Sequence, residues 1–257
     1  MSMGGVYRAP SMGSVPALRL SRIAAIPFAP VLLVQGKRLR RETPKLPDAA
    51  LPWSGSEAGP SALRLLVLGD STAAGVGAAT QDEALPGNLA RELSARWSRG
   101  VEWTALGENG ATARDLVERF LPVALEETYD FVFLSIGAND ALDLRSRSAF
   151  GRDIRTLLTA LRSRNPDAQL MMSSLPAFFR FVLLPNPLRW NLYLHSQNLE
   201  TEARRIVAQF PGVIMSPAPP PYTDGFFATD LFHPSASGYK DWARFAIDDA
   251  FEKGQLA

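Results

Sequence analysis

Five short apolar runs, each stopped by a turn residue and followed by a stretch of helical spacing, constrain this chain more than any other feature. The runs are Leu63–Leu68 (LRLLVL, closed by Gly69), Val101–Leu106, Phe131–Ile136 (FVFLSI), Leu170–Leu175 (LMMSSL) and Val213–Met215. Such runs, rich in residues that fill a surface buried on both sides, predict central strands of a parallel sheet. Between them, Leu85, Leu89, Leu93 and Trp97 recur every four residues, with Pro86 in a first helical turn. Leu116, Val117, Phe120, Leu121 and Ala124 mark a second helix, and Ile154, Leu157, Leu158 and Leu161 a third. A fourth is expected over Leu192–Phe210, and Tyr239, Trp242, Ala243, Ala246 and Ala250 mark the closing one. Strands alternating with helices imply βαβ units, a parallel sheet and helices on both of its faces.

The expected architecture is therefore α/β: a three-layer α/β/α sandwich around a five-stranded, parallel, doubly wound sheet of flavodoxin-like order, occupying residues 61–257. Composition narrows the function. The 257 residues are 46% apolar, enough for one sizeable core. Lys and Arg total 27 against 26 Asp and Glu, so no strongly basic face for nucleic acid is expected. Cysteine is absent, which removes disulfides, thiolate metal sites and cysteine nucleophiles together. His195 and His233 are the two candidates for a histidine base.

Residues 1–60 read as an arm. Met1–Pro16 is loose in composition, and Ile23–Val34 (IAAIPFAPVLLV) is apolar but too short to span a bilayer. Lys37, Arg38, Arg40 and Arg41 follow it, the reverse of a secretory leader. Two readings stay open: the apolar stretch packs on the domain, or residues 23–41 make peripheral membrane contact, with the cations at anionic headgroups. A cytoplasmic location is expected. Glu42–Pro60 holds four prolines and reads as a linker or a wrapped extended segment.

In doubly wound sheets the reactive groups lie just past the carboxyl ends of strands. Those positions carry Gly69-Asp70-Ser71, Gly107-Glu108-Asn109-Gly110, Gly137-Ala138-Asn139-Asp140 and, after the fifth strand, Asp230-Leu231-Phe232-His233-Pro234. A serine hydroxyl needs an adjacent base to act as a nucleophile, and His233 can be that base for Ser71. Asp230, three residues earlier, can hold the other ring nitrogen. The N–H groups of Ser71 and Gly110 and the Asn139 side-chain amide are candidate donors to a tetrahedral oxyanion, with Gly107 the alternative to Gly110.

These four blocks, in order and each behind its strand, resemble the SGNH, or GDSL-like, serine hydrolase family. The resemblance places the family's nucleophile on Ser71, its acid–histidine pair on Asp230 and His233, and its oxyanion donors on Ser71, Gly110 and Asn139. It implies hydrolysis of carboxylic esters of short- to medium-chain acyl groups through an acyl-enzyme, without metal or cofactor. Thr72 departs from the leucine of the namesake motif. The same triad would serve a thioesterase, a lysophospholipase or a carbohydrate O-deacetylase. A non-catalytic module binding an acylated ligand or a membrane surface is the alternative of another class.

The stretch Phe178–Trp190 is unusually apolar for a connection. It reads as a lid folded on the core, or as a surface that meets lipid or the wall of an acyl pocket, for which Phe178, Phe179, Phe181 and Phe232 are the candidate lining residues. Phe226 and Phe227 would add to that wall. His195, inside a helical run, reads as a surface or partly buried histidine outside the chemistry. Asp70 and Asp140 read as loop braces. Gly75-Val76-Gly77 lacks the third glycine of a dinucleotide loop, and the α/β-hydrolase elbow lacks its glycine, since Ala73 stands there.

Overall fold

The computed structural model describes residues 21–217 and 222–256. The chain begins with α1 (Ser21–Ala25), a 3-10 turn over Ile26–Phe28 and α2 (Ala29–Glu42). The sheet strands are β1 (Ser54–Glu57), β2 (Leu63–Gly69), β3 (Val101–Gly107), β4 (Phe131–Ser135), β5 (Gln169–Met172) and β6 (Val213–Met215). They lie in the order β1-β3-β2-β4-β5-β6. All neighbours from β3 to β6 are parallel, and β1 runs antiparallel to β3.

The five expected strands thus stand in flavodoxin-like order, with the first strand between the second and third, and a sixth extends the edge. Ser54–Glu57 (SGSE) has no apolar alternation because it is a half-exposed edge that contributes backbone pairing. Gly55 is required there: a Cβ would lie 2.4 Å from the ring of Trp103, which packs beneath it. Ahead of β1, the wrapped segment is tied to the turn after β2, with Ala49 N–H donating to Ala74 C=O (2.9 Å) and Ala50 N–H to Ala79 C=O (3.0 Å).

The apolar run of β2 divides by side-chain alternation. Leu65 and Val67 face one core with α3 (Leu85–Trp97) and α9 (Ala236–Glu252). Leu66 and Leu68 face the other, with α7 (Arg147–Arg164) and α8 (Leu188–Val207). The helical segment after β3 joins that second layer. It comprises α4 (Ala113–Asp115), a π turn over Leu116–Phe120 and α5 (Leu121–Ala124). A short α6 (Ala138–Leu142) follows β4. Leu85, Leu89 and Leu93 of α3, and Ile154, Leu157, Leu158 and Leu161 of α7, are the buried stripes that their spacing predicts.

Candidate active site

The turn after β2 carries Ser71, which is 6% exposed. Asp70 shapes this turn. Its Oδ1 accepts from Thr72 N–H (3.1 Å) and from Thr72 Oγ1 (3.1 Å), and Thr72 Oγ1 lies 2.7 Å from Ser135 Oγ at the end of β4. Threonine at position 72 therefore ties the turn to the neighbouring strand, which leucine could not do. Ser71 C=O accepts from Val76 N–H (3.0 Å), while the Ser71 N–H has no acceptor among the described residues. Burial pushes the Asp70 carboxyl up to about 6, against the bonds from Thr72.

Asp230 and His233 form one tight loop. Asp230 is 2% exposed, and its Oδ2 lies 2.6 Å from His233 Nδ1. Its Oδ1 accepts the N–H groups of Phe232 and His233, both at 3.0 Å. Burial raises this carboxyl, but the bond from His233 and the two backbone donors outweigh it, so the net shift is downward and the group stays ionised. The carboxylate thus fixes which ring nitrogen carries a proton. Leu231, within the same loop, takes a left-handed φ of 54°. Such strain in a non-glycine residue persists where surrounding bonds over-determine the turn.

The turn that carries Ser71 and the histidine loop are clamped together. A Cβ on Gly77 would lie 2.2 Å from Pro234 C=O, so the two segments touch only because that residue is glycine. Tyr239 of α9, fully buried, donates from its hydroxyl to Val76 C=O at 2.7 Å. Ser71 and His233 consequently line one cavity. No hydrogen bond joins the Ser71 hydroxyl to the imidazole of His233, whose Nδ1 is held by Asp230.

The remaining candidate donors come from the loops after β3 and β4. Gly110 has φ 91°, and its N–H has no acceptor among the described residues. A Cβ there would meet nothing within 4 Å, so the left-handed backbone requires the glycine, and closeness to another group does not. Gly107 differs: buried at the end of β3, it allows contact with Gly69 C=O, which a Cβ would approach to 2.3 Å. Asn139 donates one amide hydrogen to Ala111 C=O (2.9 Å), which joins the two loops and leaves the second hydrogen uncommitted. Asp140, wholly buried, accepts from Ala113 N–H (3.0 Å) and from Arg145 (2.8 Å), and Arg145 also reaches Asp153 (2.6 Å).

The cavity beside Ser71 is narrow, about 70 Å³, and aromatic: Phe181, Tyr222, Phe226, Phe227, Phe232 and Trp242 line it. Of the four expected wall residues, Phe181 and Phe232 are on it. Phe178 is not: fully buried, it packs behind them, 5.2 Å and 6.5 Å from their rings. Phe179 is not either; its ring stacks edge-on with Tyr193 (4.9 Å) and lies under Arg180. A 3-10 turn over Phe178–Arg180 turns these neighbours to different sides, which an apolar count cannot reveal. Tyr222 and Trp242 were not expected on the wall. Trp242 shares a helical spacing with core residues of α9, so its pattern says only that it is buried.

His195 is a correction to the reading as a surface or partly buried residue. It is completely buried, bonded through Nδ1 to Ser21 Oγ (3.0 Å) and through Nε2 to Arg145 C=O (3.0 Å). Desolvation lowers it to about 4, so it is neutral at physiological pH.

A curated relative, the GDSL-like esterase Rv1075c of Mycobacterium tuberculosis, is 27% identical over 190 residues, which is 70% of this chain; the match spans 59% of that protein's length. The psychrotrophic esterase EstA of Pseudoalteromonas sp. shares the fold with a TM-score of 0.56 at 17% identity, covering 74% of this chain and 97% of its own. A family 3 carbohydrate esterase of Clostridium thermocellum does so with a TM-score of 0.57 at 15% identity, covering 75% and 97%. The sequence model of the GDSL-like Lipase/Acylhydrolase family matches residues 67–240, from β2 through the histidine loop. The chain belongs to that family.

Proposed function

We propose that the enzyme cleaves esters of short, apolar acyl groups through a covalent acyl-serine. Ser71 Oγ attacks the ester carbonyl as His233 Nε2 takes its proton. Asp230 keeps the proton on Nδ1 and stabilises the imidazolium that forms. The carbonyl oxygen becomes an oxyanion held by the N–H groups of Ser71 and Gly110 and the free amide hydrogen of Asn139. His233 then gives its proton to the leaving alkoxide, and the alcohol departs. Water, deprotonated by the same imidazole, attacks the acyl-serine, and collapse of the second tetrahedral intermediate returns the proton to Ser71 and releases the acid.

The observation that carries this reading is the aspartate–imidazole pair at 2.6 Å in one cavity with a buried serine whose N–H is uncommitted. The acyl preference rests on the cavity itself. Its polar lining is slight, and its roughly 70 Å³ falls far below the several hundred cubic ångströms of a typical drug-sized site. Acetyl to butyryl groups fit such a space, and longer chains require the aromatic wall to open. A phosphonate probe should label Ser71 alone, Ser71→Ala should abolish ester cleavage with the fold retained, and kcat/KM should decline along a C2 to C12 series of simple esters. Labelling at another serine would refute the mechanism. A rate that climbs steadily to C12 would refute the acyl preference.

A further inference from the structure

We propose that α1 and α2 form an oblique adsorption foot for an anionic lipid surface. The helices are fixed to the body by one face. Gln35 Nε2 donates to Asn186 C=O (2.8 Å), Gln35 Oε1 accepts from Leu188 N–H (3.2 Å), and Leu39 packs on the core beneath. Ser21 bonds to the buried His195 of α8.

The outward side is divided along its length. At the N-terminal end Ile23, Ile26, Phe28, Leu33 and Val34 are 47–67% exposed, and α8, on which these helices lie, adds Trp190 at 45%. At the C-terminal end stand Lys37, Arg38, Arg40 and Arg41. Their one acidic neighbour, Glu42, is held by Arg38 (2.8 Å) and Arg41 (3.4 Å). Lys37 and Arg40 have no ion-pair partner among the described residues. The segment 37–42 thus carries a net +3, against +1 for the whole chain.

The spacing of the two halves identifies the occupant. About six residues separate the centre of the apolar half of α2 from the centre of the basic half, or roughly 10 Å of helix. That matches the 5–10 Å by which interfacial helices sink their apolar side below the headgroups. With α2 tilted, the apolar tip enters the acyl boundary while Lys37, Arg40 and Arg41 stay at phosphate level. A second protein copy seated on the apolar half would leave the basic half unanswered; an anionic bilayer answers both. No described helix is long and apolar enough to cross a membrane, so the contact proposed is adsorption.

The test is cosedimentation of the full chain with vesicles of pure phosphatidylcholine or of phosphatidylcholine with 30% phosphatidylglycerol, with light scattering on the free protein. Binding to the anionic vesicles alone, weakened by 0.5 M salt, is expected. Lys37→Gln with Arg40→Gln should weaken it about thirtyfold, each cation near such a surface contributing roughly a five- to sixfold factor. Leu33→Gln with Val34→Gln should abolish it. Because all four residues lie outside the catalytic cavity, far-ultraviolet circular dichroism and cleavage of a soluble ester should match wild type in both variants. Failure to bind, or equal binding to both vesicle types, overturns the proposal. So does a dimer that the Leu33 and Val34 pair dissolves while vesicles stay unbound.

Discussion

Replacing Asp70 by asparagine removes a charge that the fold tolerates at a measurable cost. Asp70 is 2% exposed, and burial, the largest influence, moves its carboxyl from 3.8 up to about 6. The two bonds from Thr72 and the nearby His233 pull the other way without prevailing. A carboxyl with a raised folded pKa contributes most to stability below its unfolded value, and that contribution is lost as pH rises through the folded value. The shift is about two units, so wild type should lose roughly 3 kcal/mol of stability between pH 4 and pH 7 that Asp70→Asn does not lose. Asparagine retains Oδ1, which accepts both bonds from Thr72. Its amide hydrogens replace Oδ2, and their imperfect pairing adds a constant penalty of about 1–3 kcal/mol. That penalty does not titrate, so the quantity to read is the change in the difference between the two proteins with pH. Urea denaturation of both at pH 4, 5, 6, 7 and 8 measures it. The variant should gain on wild type by about 3 kcal/mol, mostly between pH 4 and 6. Two stability curves that stay parallel within about 1 kcal/mol would refute the claim that this carboxylate is ionised at the expense of the fold.

Asp230→Asn should lower kcat/KM by about 10⁴ while leaving the fold in place, because an amide facing Nδ1 donates to it and moves the ring proton to the nitrogen meant to be the base. An ester assay beside a thermal melt checks this, and more than a tenth of wild-type activity would contradict the assignment. Arg145→Met leaves the buried Asp140 without its cation and Asp153 with only Arg114, at 3.9 Å. It should destabilise by about 3–5 kcal/mol in urea titration, less at low pH where the carboxyls take up protons.

The parts of this molecule legible in the sequence are those set by a few consecutive residues. The apolar runs of β2 and β4 are buried on both faces, so no register was needed to recognise them. The Asp230–His233 pair is three residues apart, and its loop closes on itself. β1 was illegible for the opposite reason: SGSE carries no side-chain pattern, and its pairing with β3 is a backbone matter decided by the space above Trp103. His195 is fully buried, beyond the surface or partly buried place its helical run suggests, because its partners, Ser21 and the Arg145 carbonyl, lie 174 and 50 residues away.

The cavity wall shows the same limit from another side. Phe178, Phe179 and Phe181 are equivalent by composition, yet one lines the cavity, one supports it from behind and one turns away. What divides them is where the chain bends after β5, and that bend is fitted to Phe227 and Phe232 of the histidine loop, whose rings lie 5.1 Å and 5.3 Å from Phe181. The His233 imidazole and the proposed acyl wall therefore share one aromatic cluster. Phe232 touches both, with its ring 5.2 Å from that of His233. Phe232→Ala should therefore widen the cavity and loosen the imidazole, whereas Phe181→Ala, one ring further from His233, should disturb it less. In the proposed reading, acyl length is therefore better adjusted at Phe181 than at Phe232, and a C2 to C12 ester series on the two alanine variants checks it.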